Sequence, residues 1–380
     1  MTTAETPVSQ ERSGAAEPGQ RGLPRTLAWL PTGDLITTKN LEIRKRRGLM
    51  ITMVVLIVLP TVLFYGLRLL FHAIDPNTYA PAGSPGFFSQ TSNLIAEFGF
   101  IAAATLGATA GTTDLSDGMF RHLVITGRSR LALYLARIPA GLAIIIPLVA
   151  LAFTMNCLVT SFEGSPNPTT VALYGVNAPE HFNQAQLEAW LLESPQQDAG
   201  RLPLNLGPGV TTATTAQVRS AIDSQIDSLY ASYLASELGD TNPADNEMVK
   251  IGLWVELDTG IAFLVGLGFG SLTGQRTTTT IVLIALEIIV TPLLSHAQLP
   301  YFVDGQRLLI GIAMDQLRPV ALAASTSVAG GGGGPGQALF GGRGALGIPP
   351  MPTWAMISVI LGWIVGWSGI GAWRMMTRDA

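Results

Sequence analysis

Five ionisable side chains stand inside long apolar stretches of this sequence: Arg68, Glu97, Glu256, Asp258 and Glu287. A charge in an apolar surround must be paired, neutralised by protonation or reached by water, so these positions are the first candidates for chemistry. Two readings are open. The acids could form internal ion pairs and hydrogen bonds between packed helices, or they could line a path for a substrate or an ion. Arg68, near the outer end of the first stretch, could pair with one of the acids or extend its head group to the interface.

Other chemistries fail on spacing. The run Gly330 to Gly334 is glycine-rich, but a phosphate loop needs a nearby lysine and a following hydroxyl, and the three lysines (Lys39, Lys45, Lys250) lie elsewhere. Ser271 and His296 would fall at opposite ends of neighbouring apolar segments, too far apart for a nucleophile and its base, and His122 lies in a polar loop. Cys157 is the only cysteine, which excludes an intrachain disulfide and argues against thiolate metal sites. No catalytic residue, metal site or cofactor bound by this chain is expected, and no nucleic-acid partner, because the basic residues sit at the ends of apolar segments.

The elements that position the candidates follow from composition. The 380 residues are 48% apolar and 13% charged, against about 25% charged in a soluble domain. About 20 apolar residues in a helix cross the ~30 Å hydrocarbon core of a bilayer. Six segments qualify: 48–73, 94–112, 138–159, 249–272, 277–294 and 354–373. The expected fold is an all-α integral membrane protein with six transmembrane helices. Gly107 with Gly111, Gly266 with Gly270, and Gly362 with Gly366 are small-xxx-small pairs suited to close helix contact. Lys and Arg gather at one set of ends (Arg44 to Arg47, Arg121, Arg128, Arg130, Arg137, Arg276, Arg374, Arg378), which places both termini in the cytoplasm.

Residues 1–31 read as a disordered cytoplasmic tail and 32–47 as an amphipathic interfacial helix. The first apolar run reads as an uncleaved signal anchor. Residues 160–248 read as a small helical extracytoplasmic domain. One of its helices starts at the capping box Thr214-Thr215-Ala216-Gln217, presents Val218, Ile222, Ile226, Leu229, Tyr233 and Leu234, and stops at Gly239. A second begins near Pro179 and carries Phe182, Leu187, Trp190 and Leu191. The segment 296–353 is an outer loop whose stretch Leu308 to Leu317 is bracketed by Asp304, Arg307, Asp315 and Arg318, too short to cross and read as a re-entrant or interfacial helix.

Between the second and third segments, Asp114 to Arg130 reads DLSDGMFRHLVITGRSR. It resembles the first cytoplasmic loop of type-2 ATP-binding cassette (ABC) permeases: an acid before a glycine, a basic residue, an apolar pair and a turn ending in Ser-Arg. Residues Asn40 to Arg47 are similar to the amphipathic elbow that precedes the first span in that family. The resemblance covers about two thirds of the chain, and the long loop between the third and fourth spans departs from it. It implies a cytoplasmic ABC ATPase partner that carries ATP and magnesium, a second permease copy or paralogue, and a bacterial plasma-membrane location. It also implies that Asp114, Asp117, Gly118, Phe120, Arg121, Leu123, Arg128 and Arg130 couple the ATPase to the membrane helices. The expected function is that of a permease subunit of an exporter. A secondary carrier using the intramembrane acids, or a membrane scaffold without transport, are the alternatives.

Overall fold

The computed structural model describes residues 30–84, 86–116, 129–163, 170–173, 176–179, 182–193, 215–240, 242–296, 303–319, 322 and 351–377. Helix α1 (Gly33–Lys45) and helix α2 (Arg47–Ile74) are separated by Arg46 alone. They are followed by α3 (Phe87–Ser116) and α4 (Arg130–Glu163). A two-stranded hairpin, β1 (Thr170–Leu173) and β2 (Val176–Pro179), leads to α5 (Gln184–Glu193) and α6 (Thr215–Asp240). Then come α7 (Asp245–Thr273), α8 (Arg276–Ala285), a π-helical turn (Leu286–Val290), α9 (Thr291–His296), α10 (Val303–Arg307), α11 (Ile310–Gln316) and α12 (Thr353–Thr377).

Among the described residues five helices, α2, α3, α4, α7 and α12, are long and apolar enough to cross a membrane. Each extends beyond the apolar run seen in sequence, because a helix keeps its own backbone hydrogen bonds where its ends become polar. The remaining segment, 277–294, is helical throughout but not uniformly α-helical: α8, the π turn and α9 run without a gap from Arg276 to His296.

Helices α3 and α7 form the centre, with 72% of their apolar windows buried against 22% for α2 and 17% for α12. Two of the three glycine pairs explain the contact. A Cβ on Gly266 would stand 2.6 Å from the Ala104 carbonyl oxygen, one on Gly270 2.8 Å from that of Ala108, and one on Gly111 2.6 Å from that of Leu267. These partners advance together along both chains, so α3 and α7 run parallel. The third pair behaves otherwise: Cβ positions on Gly362 and Gly366 meet nothing within 4 Å. They open on a groove of about 410 Å³ beside Trp363 and Trp367. On α12 the close approach is at Gly371, whose Cβ would lie 2.6 Å from the Gly268 carbonyl oxygen.

Helix α4 runs antiparallel to both central helices. Its Asn156 Nδ2 donates to the Phe88 carbonyl (3.1 Å) and to Ser92 Oγ (2.8 Å) near the start of α3, while Arg137 Nη1 donates to the Gly111 carbonyl (3.3 Å) near its end. Tyr65 of α2 donates to Asn156 Oδ1, completing a buried polar knot between α2, α3 and α4. The end of α12 returns to Arg130 and Arg137, the end of the bundle where α2 begins.

One face of helix α1 is covered by protein. Leu35 packs with Ala132, Leu133 and Ala136 of α4, and Asn40 Nδ2 donates to the Ala140 carbonyl at 2.9 Å.

The segment between α4 and α7 is not purely helical. Thr170 pairs with Pro179 and Leu173 with Val176 in an antiparallel hairpin, so Pro179 ends a strand and the following helix begins only at Gln184. β-Branched Thr170, Val171 and Val176 suit extended pairing, and Pro179 at a strand end loses no ladder bond. Helix α6 begins at Thr215, and Thr214 of the proposed capping box lies outside the described residues; the helix runs through Gly239 to Asp240. Its Val218, Ile222, Leu229 and Tyr233 pack on Leu187, Leu191 and Ala178, making one small core. Tyr233 ties hairpin to helix: its hydroxyl donates to the Pro179 carbonyl (2.7 Å) and accepts from the Phe182 amide (3.1 Å).

Candidate functional site

The acidic candidates lie on three elements and differ in burial. Glu287 is 2% exposed and Asp258 7%, while Glu97 on α3 and Glu256 on α7 are half-buried. Glu287 sits inside the π turn, where one residue more than an α-helix holds is fitted and the Thr291 amide reaches back five residues to the Leu286 carbonyl. Thr291 Oγ1 donates to that same carbonyl at 3.0 Å and lies 3.4 Å from Glu287 Oε2. The carboxylate abuts α11: a Cβ on Gly311 would stand 3.1 Å from Glu287 Oε2. Glycine at 311 is what lets the short helix reach the acid.

Helix α11 falls within the stretch Leu308 to Leu317, and its residues Ile310 to Met314 are buried. Three side chains hold it. Trp254 Nε1 of α7 donates to the Met314 carbonyl (3.3 Å), Trp363 Nε1 of α12 to the Leu308 carbonyl (2.7 Å), and Gln316 Oε1 accepts from the Met351 amide (2.9 Å). Arg318 is the residue that sequence reasoning noted only as a bracket. Its side chain is 6% exposed, lies 3.8 Å from Asp315, donates to Asn93 Oδ1 of α3 and places its guanidinium 5.4 Å from the centre of the Trp254 ring. The signal available in sequence was the i, i+3 acid–base spacing of Asp315 and Arg318 beside an apolar turn.

Arg68 does not join the acids. Its guanidinium lies 3.9 Å from the Phe87 ring centre and 5.5 Å from that of Phe64, so aromatic faces stabilise the charge. Among the described residues no cluster of three His, Cys, Asp or Glu could hold a metal ion.

Of the coupling candidates, Asp117, Gly118, Phe120, Arg121, Leu123 and Arg128 lie outside the described residues. Asp114 falls in the last turn of α3, and Arg130 opens α4. Ser129 Oγ accepts the Ala132 amide at 3.1 Å, capping α4. Arg130 Nη1 donates to the Met376 carbonyl at 2.9 Å, which joins the start of α4 to the end of α12.

The fold and these side chains define a helical, multi-pass membrane protein with buried acids. No protein-family model matches the chain, and no curated protein matches it.

Proposed function

We propose that this chain is the permease subunit of an ATP-binding cassette transporter, an exporter in a bacterial plasma membrane. It crosses the bilayer six times with both termini in the cytoplasm, and the hairpin domain of α5 and α6 stands outside. The parallel run of α3 and α7, the return of α12 to the end where α2 begins, and the unbroken helical stretch from Arg276 to His296 all support an even number of crossings. At ~1.5 Å per residue that stretch matches a ~30 Å core.

The observation that carries the reading is how the two ends of the 114–130 loop are built into the bundle. Helix α3 leads in and is interlocked with α7 through Gly111 and Gly266. Helix α4 leads out behind a capped start, with Arg130 bound to α12. A load applied to the loop therefore reaches α3, α4, α7 and α12 through these contacts, as a docked ATPase requires. Purification of the tagged chain, with a search for an ABC ATPase among the proteins that come with it, is the test. A stable complex whose hydrolysis responds to candidate compounds supports the reading, and transport that persists without any ATPase overturns it.

A second reading has one observation in its favour: Glu287 is buried in a π-distorted turn, a local departure common at functional positions. An ion-coupled carrier would use it as a proton or cation site. Transport by the chain alone in vesicles, driven by an imposed proton gradient without ATP, decides for the carrier.

A further inference from the structure

We propose that Arg68, held against Phe64 and Phe87, binds the phosphate of a membrane phospholipid where α2 meets the start of α3. The Arg68 guanidinium lies 3.9 Å from the Phe87 ring centre and 5.5 Å from that of Phe64. The two rings meet edge to face at 6.1 Å and form a corner for it. Local structure builds this corner. Gly86 has a φ of 84°, a left-handed conformation that glycine adopts without strain, and α3 then starts at once with Phe87. On α2, Phe64 stands one turn before Arg68 and packs edge-on against Tyr65, which is bonded to Asn156 of α4. Aromatic rings attract the cation but supply no oxygen acceptor for its N–H groups. Among the described residues, no hydrogen bond or ion pair engages Arg68. The titratable groups that follow it along the chain are turned elsewhere. His72 Nδ1 lies 2.6 Å from the Tyr79 carbonyl, and Asp75 Oδ1 accepts the Asn77 and Thr78 amides at 3.1 and 3.3 Å.

Position specifies the ligand. Arg47 opens α2, and about 32 Å of helix separates it from Arg68, close to the ~30 Å hydrocarbon core. With Arg47 at one face of the membrane, Arg68 reaches the phosphate layer of the opposite leaflet. Its guanidinium leans back toward Phe64, the direction that helical side chains take, and so stays at the hydrocarbon edge of that layer. Leu63, Leu67 and Leu70 are exposed on the same stretch of α2 and offer a surface for acyl chains. A phospholipid brings phosphate and acyl chains there together, whereas a dissolved anion would have to leave water to arrive. The guanidinium suits a phosphodiester because its planar fork binds two phosphate oxygens at once. The inference rests on the membrane placement of α2. It is independent of the transport reading and of which side is cytoplasmic.

The full chain, purified in a neutral, phosphate-free detergent, is titrated with phosphatidylethanolamine bearing a photoreactive head group. Adducts are mapped by mass spectrometry. The control is a galactosyl diacylglycerol with the same acyl chains and photoreactive group but no phosphate. The phospholipid is expected to label the segment 64–87 at least ~10-fold more strongly than the control, the value of one charge-assisted bidentate contact. Arg68→Gln is expected to lower the phospholipid labelling by the same factor. Arg68→Lys keeps the charge, loses the planar fork and should fall between parent and Arg68→Gln. Phe87→Leu keeps the arginine, removes the nearer ring and should cost about threefold. Equal labelling of the segment by both lipids overturns the proposal, as does an Arg68→Gln protein labelled like the parent. Suppression by inorganic phosphate would make a dissolved anion the ligand and overturn the lipid. Should Arg68→Gln fail to fold, Arg68→Lys and Phe87→Leu decide, and unchanged labelling in both counts against the site.

Discussion

Gly266 lies so close to Ala104 that a Cβ placed on it would stand 2.6 Å from the Ala104 carbonyl oxygen. Real Cβ contacts do not occur at that distance, and the obstacle is backbone, which cannot rotate away. Gly266→Leu must therefore separate α3 from α7, the two most buried of the five long apolar helices described. Overpacking costs about 1–3 kcal/mol where side chains can yield, and the upper part of that range or more is expected here. Gly362→Leu, at a position open to 4 Å, should be tolerated in the monomer. Thermal unfolding of both variants in detergent checks the contrast, and equal melting temperatures would remove the interlock as a source of stability.

Arg318 should matter to stability more than its position in a loop suggests. Removing it as Arg318→Met leaves Asp315, 7% exposed, without the guanidinium 3.8 Å away. Breaking a buried pair from one side costs about 3–5 kcal/mol, while removing both charges costs less. The double variant Asp315→Asn with Arg318→Gln should melt between parent and Arg318→Met. A single variant that melts like the parent would mean that Trp254 and Trp363 hold α11 without the charge.

Glu287 separates the packing role from the transport role. Glu287→Gln keeps size and hydrogen-bonding capacity next to Thr291 and Gly311 but cannot ionise. The variant should express and unfold like the parent and lose transport. If transport survives, the acid is part of the seat for α11 and nothing more, and the carrier reading loses its one observation.

Orientation is checked at Ala189, an exposed position on α5. With Cys157→Ala as background, Ala189→Cys should react with a membrane-impermeant maleimide on intact cells. Labelling only after lysis would invert the assigned sides.

The helix centres were legible because an apolar run of that length has one way to bury its backbone in a bilayer. Two glycine pairs were legible for the same kind of reason, since small residues at i, i+4 serve close approach. The third pair followed the same pattern yet faces an open groove, because spacing does not say which neighbour is present. The π turn at Glu287 was hidden, as its extra residue is specified by Gly311 and Thr291 meeting across 20 positions of sequence. Burial of Lys39 was likewise hidden: it depends on α1 docking against α4 through Leu35 and Asn40. The hairpin at 170–179 was missed because a four-residue strand gives no period to detect.

The last expectation concerns Phe120, which lies outside the described residues and is argued from sequence and from the two ends that bracket it. Asp117 can favour a helix start, Met119, Phe120, Leu123 and Val124 can supply one apolar face, and Gly127 can end the turn. Helix α4 follows at once behind the Ser129 cap, and Arg130 is tied to Met376. An aromatic anchor at the centre of an interface is a common hot spot, so Phe120→Ala should weaken ATPase binding by about 2 kcal/mol, or about 30-fold. Membrane insertion should be unchanged because no charge is altered. The competing account has Arg121, Arg128 and Arg130 holding anionic lipid, with the apolar face merely resting on the membrane. The two accounts part on a second variant. Arg121→Gln with Arg128→Gln should leave ATPase copurification within a few-fold of the parent if Phe120 anchors the complex. Copurification that withstands Phe120→Ala, with full transport, gives the loop to the lipid surface and moves the search for the docking site to the turn from Gly274 to Arg276.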